Sequence, residues 1–415
     1  MENQNQQPKP FCVAPFVNFY YKGSKTRSLM RPCCESRTDD DMKYSFTDYD
    51  SFWHGDFMKS LRQDMLDGKP HDICTRCIEV EDAGGLNSRE FYANILRRFE
   101  KEYGEVSFNA DTGNQHGSPI SIDYRGSNLC NLKCRMCHVS SSSEIAKEIF
   151  EHEEVYKTIK YHTNKEYLYV ENKDVNTFIN QIPLENTFRI KFLGGEPLMQ
   201  EDVYQGLEKV LRESRNPKKV DISFTTNATN FPPRFTRLIG KFRQILMRVS
   251  LDGVGATHEY VRTNSHWSAT QKNCAKMFEG GYENREVILG FSFIIQAYSI
   301  FNVIDILEYI MDIKSKNYAI WSEPFFSPIE QDWMSTAILD DTDIAEVLAQ
   351  LDAFKLKYTE QTYSDNIKNI IQNFDKKRKI NLEEARTQFK EFTNVMDSVR
   401  KTDLSKLDER FKKYL

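Results

Sequence analysis

From residue 118 onward, short apolar runs alternate with longer segments of helical periodicity. Six of these runs are predicted to be strands: SIDYRGS, RIKFLGG, VDISFTT, ILMRVSLDG, VILGFSFIIQA and NYAIWSEPFF. Strands that are separated by helical connections form a parallel sheet with right-handed crossovers. The pattern therefore predicts an α/β fold, with a curled or open sheet and with the chemistry at the carboxyl ends of the strands.

Before residue 118 the pattern changes to a predicted hairpin followed by helices. The segment 13–32 has aromatic and branched residues on both sides of a Lys-Gly-Ser turn, which is typical of a hairpin. A helix is predicted over about 51–67, because apolar residues recur every four positions: Trp53, Phe57, Leu61 and Met65. A second helix is predicted over about 88–103, with Ser88 as its N-cap.

The length of the chain, 415 residues, exceeds what one hydrophobic core usually holds, because single cores stop growing at roughly 250–300 residues. We divide the chain into residues 1–117, a hairpin-helix unit with its linker; residues 118–335, the sheet; and residues 336–415, a charged helical region. After residue 340 the sequence contains no motif that we associate with chemistry.

Composition excludes some classes of function. The net charge of -5 gives no basic surface for a nucleic acid, so a nucleic-acid partner is not expected. The first ten residues lack the charged and apolar regions of a signal peptide, and no run approaches the roughly 20 apolar residues that span a bilayer. We therefore expect a cytoplasmic protein that does not interact with membranes.

The chain has nine cysteines, and three of them lie together in CNLKCRMC: Cys130, Cys134 and Cys137. Three thiolates on one short loop can hold three corners of a 4Fe-4S cube and leave the fourth iron open to a small molecule. The alternative is a structural zinc with His138 as fourth ligand, but a residue next to a ligating cysteine seldom reaches the same tetrahedral ion.

Five further cysteines precede residue 78, and a sixth, Cys274, is predicted to be an ordinary buried thiol. The predicted hairpin brings Cys12 close to the adjacent pair at its other end, and the helix after it leads to a CxxC pair. A four-thiolate site is therefore predicted from Cys12, Cys33, Cys74 and Cys77, with Cys34 as the alternative to Cys33. The spacing of these cysteines does not distinguish an iron-sulfur cluster from a zinc ion.

Together these motifs resemble those of the radical S-adenosylmethionine (SAM) enzymes. The CxxxCxxC loop is followed by GGEP at 194–197, TTNAT at 225–229 and SLDG at 250–253, and the resemblance covers nearly all of 118–330. The early cysteines resemble the auxiliary-cluster module called twitch or SPASM, although here that module precedes the sheet. The resemblance implies a partial (β/α)6 TIM-like barrel with a small N-terminal auxiliary-cluster subdomain and a helical C-terminal region.

The resemblance also implies roles for individual residues around SAM. Met136 would pack on the adenine, and Gly194 and Gly195 would let the backbone approach the ligand. The remaining positions would hold the ammonium, ribose and carboxylate groups: Glu196, Thr226, Asn227, Ser250 and Arg262. Asp252 and His258 are expected to brace this turn and not to act as a catalytic acid or base.

The activity implied is reductive cleavage of SAM at a 4Fe-4S cluster to a 5'-deoxyadenosyl radical, followed by oxidation of a substrate. The expected substrate is a peptide or protein side chain, and dehydrogenation of a sugar-like or polyol molecule is the alternative. A second, auxiliary 4Fe-4S cluster would accept an electron, and a flavodoxin or ferredoxin would supply the reducing equivalents. The alternative function from another class is a non-catalytic zinc-binding interaction protein. That alternative does not explain the motifs GGEP, TTNAT and SLDG.

Overall fold

The computed structural model describes residues 11–23, 29–36, 46, 48–82, 87–159, 178–279, 286–316, 322–375 and 380–415. The helices are α1 Ala14–Val17, α2 Tyr49–Trp53, α3 Asp56–Leu66, α4 Thr75–Asp82, α5 Ser88–Tyr103, α6 Ser143–Glu151, α7 Glu153–Tyr156, α8 Phe178–Gln181, α9 Glu201–Glu213, α10 Pro233–Ile239, α11 Ala256–Val261, α12 Trp267–Glu279, α13 Val303–Ser315, α14 Asp341–Lys357, α15 Tyr363–Asn369 and α16 Leu382–Arg400. The strands are β1 Asn18–Lys22, β2 Leu29–Arg31, β3 Phe108–Asn109, β4 Gly113–Asn114, β5 Ser121–Arg125, β6 Lys133–Cys134, β7 Arg189–Leu193, β8 Asp221–Thr226, β9 Gln244–Ser250, β10 Arg262–Thr263, β11 Glu286–Ile295 and β12 Phe325–Pro328.

One sheet of eight strands organises the structure, in the order β12-β11-β9-β8-β7-β5-β1-β2. From β12 to β1 every neighbouring pair is parallel. The edge strands β2 and β12 do not pair with each other in the described part of the chain, so the sheet is a partial TIM-like barrel. The predicted parallel α/β fold is confirmed. The last strand lies at Phe325–Pro328, at the end of the predicted run, whose residues 317–321 are outside the described ones.

The predicted N-terminal hairpin forms from β1 and β2, and it also extends the sheet. Strand β1 pairs with β5 in parallel, with Phe19 opposite Ile122 and Tyr21 opposite Tyr124. The Tyr21 ring stacks on Tyr124 with ring centroids 5.2 Å apart, and it stacks on Phe178 at 3.9 Å. The hairpin and the sheet therefore share one apolar layer.

Two local predictions before residue 118 were wrong in detail. The helix predicted over 51–67 is interrupted after Trp53, and Gly55 is the extended N-cap of the next helix. Glycine is required at this break, since a Cβ on Gly55 would lie 2.0 Å from the Ser51 carbonyl oxygen. The N-cap of α5 is Asn87 and not Ser88, since the Asn87 side chain accepts the Arg89 backbone N–H at 2.9 Å.

The two faces of the sheet differ in polarity. The face that packs against the helices is apolar; Phe224, for example, contacts Phe235 of α10 with ring centroids 4.9 Å apart. Because side chains alternate along a strand, the opposite, inner face carries the residues between these apolar positions. Four of them define what we call the inner face below: Asp123, Lys191, Ser223 and Arg248. No helix in the described ranges combines the length and apolar character that a membrane span needs.

Candidate functional site

The CNLKCRMC loop follows β5 at the carboxyl end of the sheet, where the sequence predicts it. Cys130 and Cys134 are buried and Cys137 is partly buried. Burial raises the pKa of all three thiols, that of Cys134 to about 12, and the charges of neighbouring thiols, Cys137 included, raise the pKa of Cys130 and Cys134 further. This mutual effect places the three sulfur atoms close together in a protected environment.

Positive side chains surround these thiols and suit them to bind as thiolates. Arg262 donates a hydrogen bond from Nη1 to Cys134 Sγ at 3.8 Å, and Arg262 and Cys134 are opposite each other in the β6–β10 pair. The charge of Arg125 lowers the pKa of Cys137, and that of Arg400 lowers the pKa of Cys134. Such cations offset the negative charge that three thiolate ligands bring to a buried cluster.

Arg262 already has a carboxylate partner within the protein. Its Nη2 lies 2.5 Å from Asp252 Oδ2, and Asp252 Oδ1 accepts the Ile294 backbone N–H at 2.8 Å. Burial alone would lower the pKa of Arg262, but the carboxylate and the thiols raise it above its usual value. Asp252 thus fixes the guanidinium beside Cys134.

The two glycines of GGEP lie against the segment that leads into the cysteine loop. A Cβ on Gly195 would lie 2.1 Å from the Leu129 carbonyl oxygen, and Gly194 has a φ of 102° that favours glycine. Hydrogen bonds join the two backbones: the Gly195 N–H donates to Ser127 O at 3.1 Å and the Glu196 N–H to Leu129 O at 2.7 Å. Glycine is needed here because the end of β7 must contact the loop before Cys130.

Glu196 connects the ends of β7 and β8. Its carboxylate accepts hydrogen bonds from Thr226 Oγ1 at 2.7 Å, the Asn227 N–H at 2.6 Å and the Leu198 N–H at 3.2 Å. Burial raises the pKa of Glu196 to about 7 against the effect of these donors. A cation close to this carboxylate would favour its ionised form.

Asn227 extends the network to the cysteine loop. Its Nδ2 donates to Asn131 Oδ1 at 3.0 Å and lies 3.8 Å from Cys130 Sγ. Its Oδ1 accepts hydrogen bonds from the backbone and the hydroxyl of Thr229. The side chain of Asn227 thus joins the TTNAT segment to the cysteine loop at Cys130.

Three other predicted residues lie in this region. Met136 is buried, and Ser250 is half-buried at the last position of β9. His258 is fully buried against Trp267, with ring centroids 5.1 Å apart. Burial and the charge of Arg262 lower the pKa of His258 to about 3, so the ring is neutral.

The order of these motifs along the sheet agrees with a comparison of the sequence with protein families. Residues 124–310 match the model of the Radical SAM superfamily. The chain contains a radical SAM domain. This superfamily uses a 4Fe-4S cluster and SAM. The buried thiols, the cations beside them and the carboxylate of Glu196 suit both groups.

Several solved structures are similar to the chain at low identity. Streptococcus suis SuiB bound to the precursor peptide SuiA is 15% identical, with a TM-score of 0.35, and the match covers 74% of this chain and 61% of that one. SuiB bound to SAM is 14% identical over 82% and 68% of the two chains, with a TM-score of 0.34. The enzyme anSMEcpe with bound AdoMet and the Cp18Cys peptide is 18% identical over 50% of each chain, with a TM-score of 0.31. No curated protein was found to match the chain.

The C-terminal helix α16 contacts the cysteine loop of the radical SAM domain, which the sequence did not predict. Arg135 is fully buried between the second and third cysteines, and its Nη2 lies 2.5 Å from Asp397 Oδ1. Its guanidinium also lies 3.7 Å from the centre of the Tyr260 ring. A residue more than 250 positions away thus orients this loop, and no local sequence pattern indicates such a pair.

A second ion pair joins the same helix to the loop. Arg400 Nη2 lies 2.7 Å from Glu148 Oε1, and Lys133 Nζ lies 2.6 Å from Glu148 Oε2. Burial opposes ionisation of Glu148, but Arg400 and Lys133 lower its pKa to about 2. The carboxylate is therefore ionised and connects Lys133 to α16.

Removing Asp397 tests whether α16 supports the loop. The Asp397→Ala variant should lose about 3 kcal/mol in free energy of unfolding, because it leaves the Arg135 charge buried without its partner. The control is Asp365→Ala, which breaks an exposed pair with Lys355 and should cost less than about 1 kcal/mol. Urea unfolding of both variants measures the difference, and equal losses would contradict a supporting role for Asp397.

Four early cysteines line a second cavity, next to the hairpin. Its walls include Cys12, Cys33, Cys74 and Cys77, together with Arg89. Burial raises the pKa of the Cys12 thiol to about 11 and that of Cys74 to about 12, and thiols of this group add to each shift. The hairpin, the turn at Asp72–Cys74 and α4 bring these thiols together.

Cys34 points away from that cavity, although it is adjacent to Cys33. Its thiol is affected by the charges of Asp123 and Lys191, which belong to the inner face of the sheet. Burial, with Asp123 and Glu35, raises the pKa of Cys34 to about 11. No three His, Cys, Asp or Glu side chains in the described ranges converge as ligands of a single ion. A 4Fe-4S cube needs a wider arrangement, because each thiolate binds a different iron.

Proposed function

We propose that the chain is a radical SAM oxidoreductase that oxidises a peptide or protein side chain. The observation that carries the proposal is the group of three close thiols beside Arg262 at the carboxyl end of the sheet, two of them buried and one partly buried. In this proposal Cys130, Cys134 and Cys137 ligate the SAM-cleaving cluster. A reduced 4Fe-4S cluster held there would supply the single electron for cleavage of SAM to methionine and a 5'-deoxyadenosyl radical.

The neighbouring residues position SAM. Glu196 and the GGEP backbone accept from its ammonium group, and Met136 packs on the adenine. Asn227, Ser250 and Arg262 bind the ribose and carboxylate groups; Thr226 and the two glycines, Gly194 and Gly195, hold the loop and the strand end in place. Asp252 orients Arg262 and is a positioning residue.

The four thiols next to the hairpin make the second part of the proposal. Cys12, Cys33, Cys74 and Cys77 ligate an auxiliary 4Fe-4S cluster, as in the twitch or SPASM module that the sequence resembles. A cluster with four thiolates has no open iron, so it supplies an electron acceptor. We place the protein in the cytoplasm with a flavodoxin or ferredoxin as reductant, because free thiols persist in reducing compartments.

An open sheet supports a polymeric substrate. Strands β2 and β12 are the two edges of the sheet in the part of the chain that the structure describes, and no strand pairing closes the gap between them. A peptide segment can enter laterally through such a gap and present a side chain to the carboxyl ends of the strands. The polar inner face gives it groups for hydrogen bonding.

The proposal is tested by incubating the anaerobically reduced protein with SAM. We expect 5'-deoxyadenosine and methionine in equal amounts, measured by mass spectrometry after quenching. Failure to form 5'-deoxyadenosine with a full complement of iron would contradict the proposed activity.

A pair of adjacent variants tests which thiol belongs to the auxiliary site. The Cys33→Ala variant should lose about four of about eight irons per chain, because Cys33 lines the cavity with the other three thiols. The Cys34→Ala variant is the matched control and should keep its iron, because its thiol faces Asp123 and Lys191. Iron analysis of the two proteins measures the difference, and the reverse result would assign Cys34 as the ligand.

A further inference from the structure

The inner face of the sheet carries two cationic side chains that form no ion pair among the described residues. Lys191 lies on β7 and Arg248 on β9, and neither forms an ion pair or a hydrogen bond with the described residues. Arg248 Nη1 is fully buried without a hydrogen-bond partner, and its guanidinium carbon lies 5.6 Å from the centre of the Phe325 ring. Each of the two side chains is half-buried.

The nearby acids are engaged elsewhere. Asp123, next to Lys191 in the sheet, forms an ion pair with Arg189 at 2.9 Å and accepts the Tyr92 hydroxyl at 3.0 Å. Asp221 pairs with Arg98 of α5 at 2.5 Å. These contacts attach α5 to the inner face. Lys191 lies at the level of Asp123 in the sheet, and Arg248 lies two residues nearer the carboxyl ends of the strands.

Burial lowers the pKa of both Lys191 and Arg248, which shows that the surrounding protein disfavours their charges. The carboxylate of Asp123 partly offsets this effect at Lys191, whereas the like charges of Arg189 and Arg248 lower its pKa further. Arg248 has no such carboxylate beside it in the described part of the chain, so a bound anion would recover free energy that its partly buried charge costs.

Arg248 lies close along its strand to Ser250, a residue of the candidate SAM site. Arg248 is two residues before Ser250 on the same strand, so the two side chains are on the same face about 7 Å apart along the strand. Lys191 is adjacent to Ser223, and Arg248 to Thr225, across successive strands. Cys34 lies near the pair, because the charge of Lys191 lowers the pKa of its thiol.

We propose that Lys191 and Arg248 bind a carboxylate of the substrate, and that the peptide which this enzyme oxidises carries an aspartate or glutamate close to the modified residue. This inference rests on the proposed function. The planar fork of Arg248 suits the two oxygens of a carboxylate, and the ammonium of Lys191 adds a point charge that three hydrogen bonds can orient. The two residues are specificity determinants that bind the substrate away from the reacting carbon.

Matched probe peptides test the proposal on the anaerobic, cluster-containing full chain. Acetyl-Ala-Glu-Ala-amide should raise the melting temperature in a concentration-dependent manner, while the isosteric acetyl-Ala-Gln-Ala-amide should not. The variants Lys191→Gln and Arg248→Gln should each weaken binding of the glutamate peptide about tenfold or more. Without peptide they should melt at the same or a higher temperature, because an uncompensated charge has been removed. The exposed Arg212→Gln is the control and should bind like the unaltered protein.

Equal effects of the two peptides, no effect of either, or unchanged binding by both variants would overturn the assignment. A shift with inorganic phosphate, lost in the two variants and absent with the glutamate peptide, would also overturn it and indicate a phosphorylated ligand. None of these readouts depends on SAM cleavage. If the protein forms 5'-deoxyadenosine but does not distinguish the two peptides, only this inference is refuted. If it binds the glutamate peptide selectively but forms no 5'-deoxyadenosine, the proposed function is refuted.

Discussion

The Cys134→Ala variant should form no 5'-deoxyadenosine above the level of a protein-free reaction. Cys134 is the middle thiol of the loop, and it receives the hydrogen bond from Arg262. Without it, two thiols remain on the loop, and a cube held by two protein ligands is not retained as the site that binds SAM. The loss should therefore be complete. Mass spectrometry of reduced, SAM-treated protein measures it.

The matched control for this variant is Cys274→Ala. Cys274 is also a buried thiol, but it lies in α12, where it forms a hydrogen bond with Tyr309. This variant should keep its iron and its 5'-deoxyadenosine formation, at the modest stability cost of a small core truncation. Retained activity in Cys134→Ala would mean that SAM is cleaved at another place in the protein.

Removing Cys74 and Cys77 together should separate SAM cleavage from product formation. The double alanine variant loses two of the four thiols that line the second cavity, and iron should fall from about eight to about four per chain. SAM cleavage should continue in part, uncoupled from substrate oxidation, because the thiols of the CNLKCRMC loop are unchanged. Oxidised product should be absent, since the electron acceptor has been removed.

Two measurements on the same sample check this result: iron per chain, and the ratio of product to 5'-deoxyadenosine. The Cys34→Ala variant again serves as the control with an unaltered second cavity. Unchanged product formation after loss of both thiols would show that the early cysteines take no part in electron transfer.

The parts of the fold that depend on local patterns could be predicted from the sequence. Alternating apolar runs predicted six parallel strands, and all six occur in the sheet. The pairing of β1 with β5 could not be predicted, because a hairpin is specified by its own turn and this contact joins residues 103 positions apart, such as Asn18 and Ser121. Likewise, the break at Gly55 could not be predicted, because the four-residue spacing of apolar positions continues from Trp53 to Phe57 across it.

In the candidate site, too, local motifs could be predicted from the sequence and contacts between distant residues could not. The positions of CNLKCRMC, GGEP, TTNAT and SLDG after successive apolar runs predicted that these motifs lie at the carboxyl ends of the strands. The contacts of Arg135 with Asp397 and of Glu148 with Arg400 could not be predicted, because each pair is distant in sequence and lacks a motif. The choice between Cys33 and Cys34 was also open, since adjacent residues differ only in which way the backbone turns them.

The metal content of anaerobically purified protein tests the central claim most directly. The claim is that buried thiols at the carboxyl end of the sheet hold an iron-sulfur cluster with one open iron. We predict a brown protein with about eight irons per chain, or about four if only the CNLKCRMC site holds a cluster. A colourless protein that contains zinc and no iron would contradict the claim.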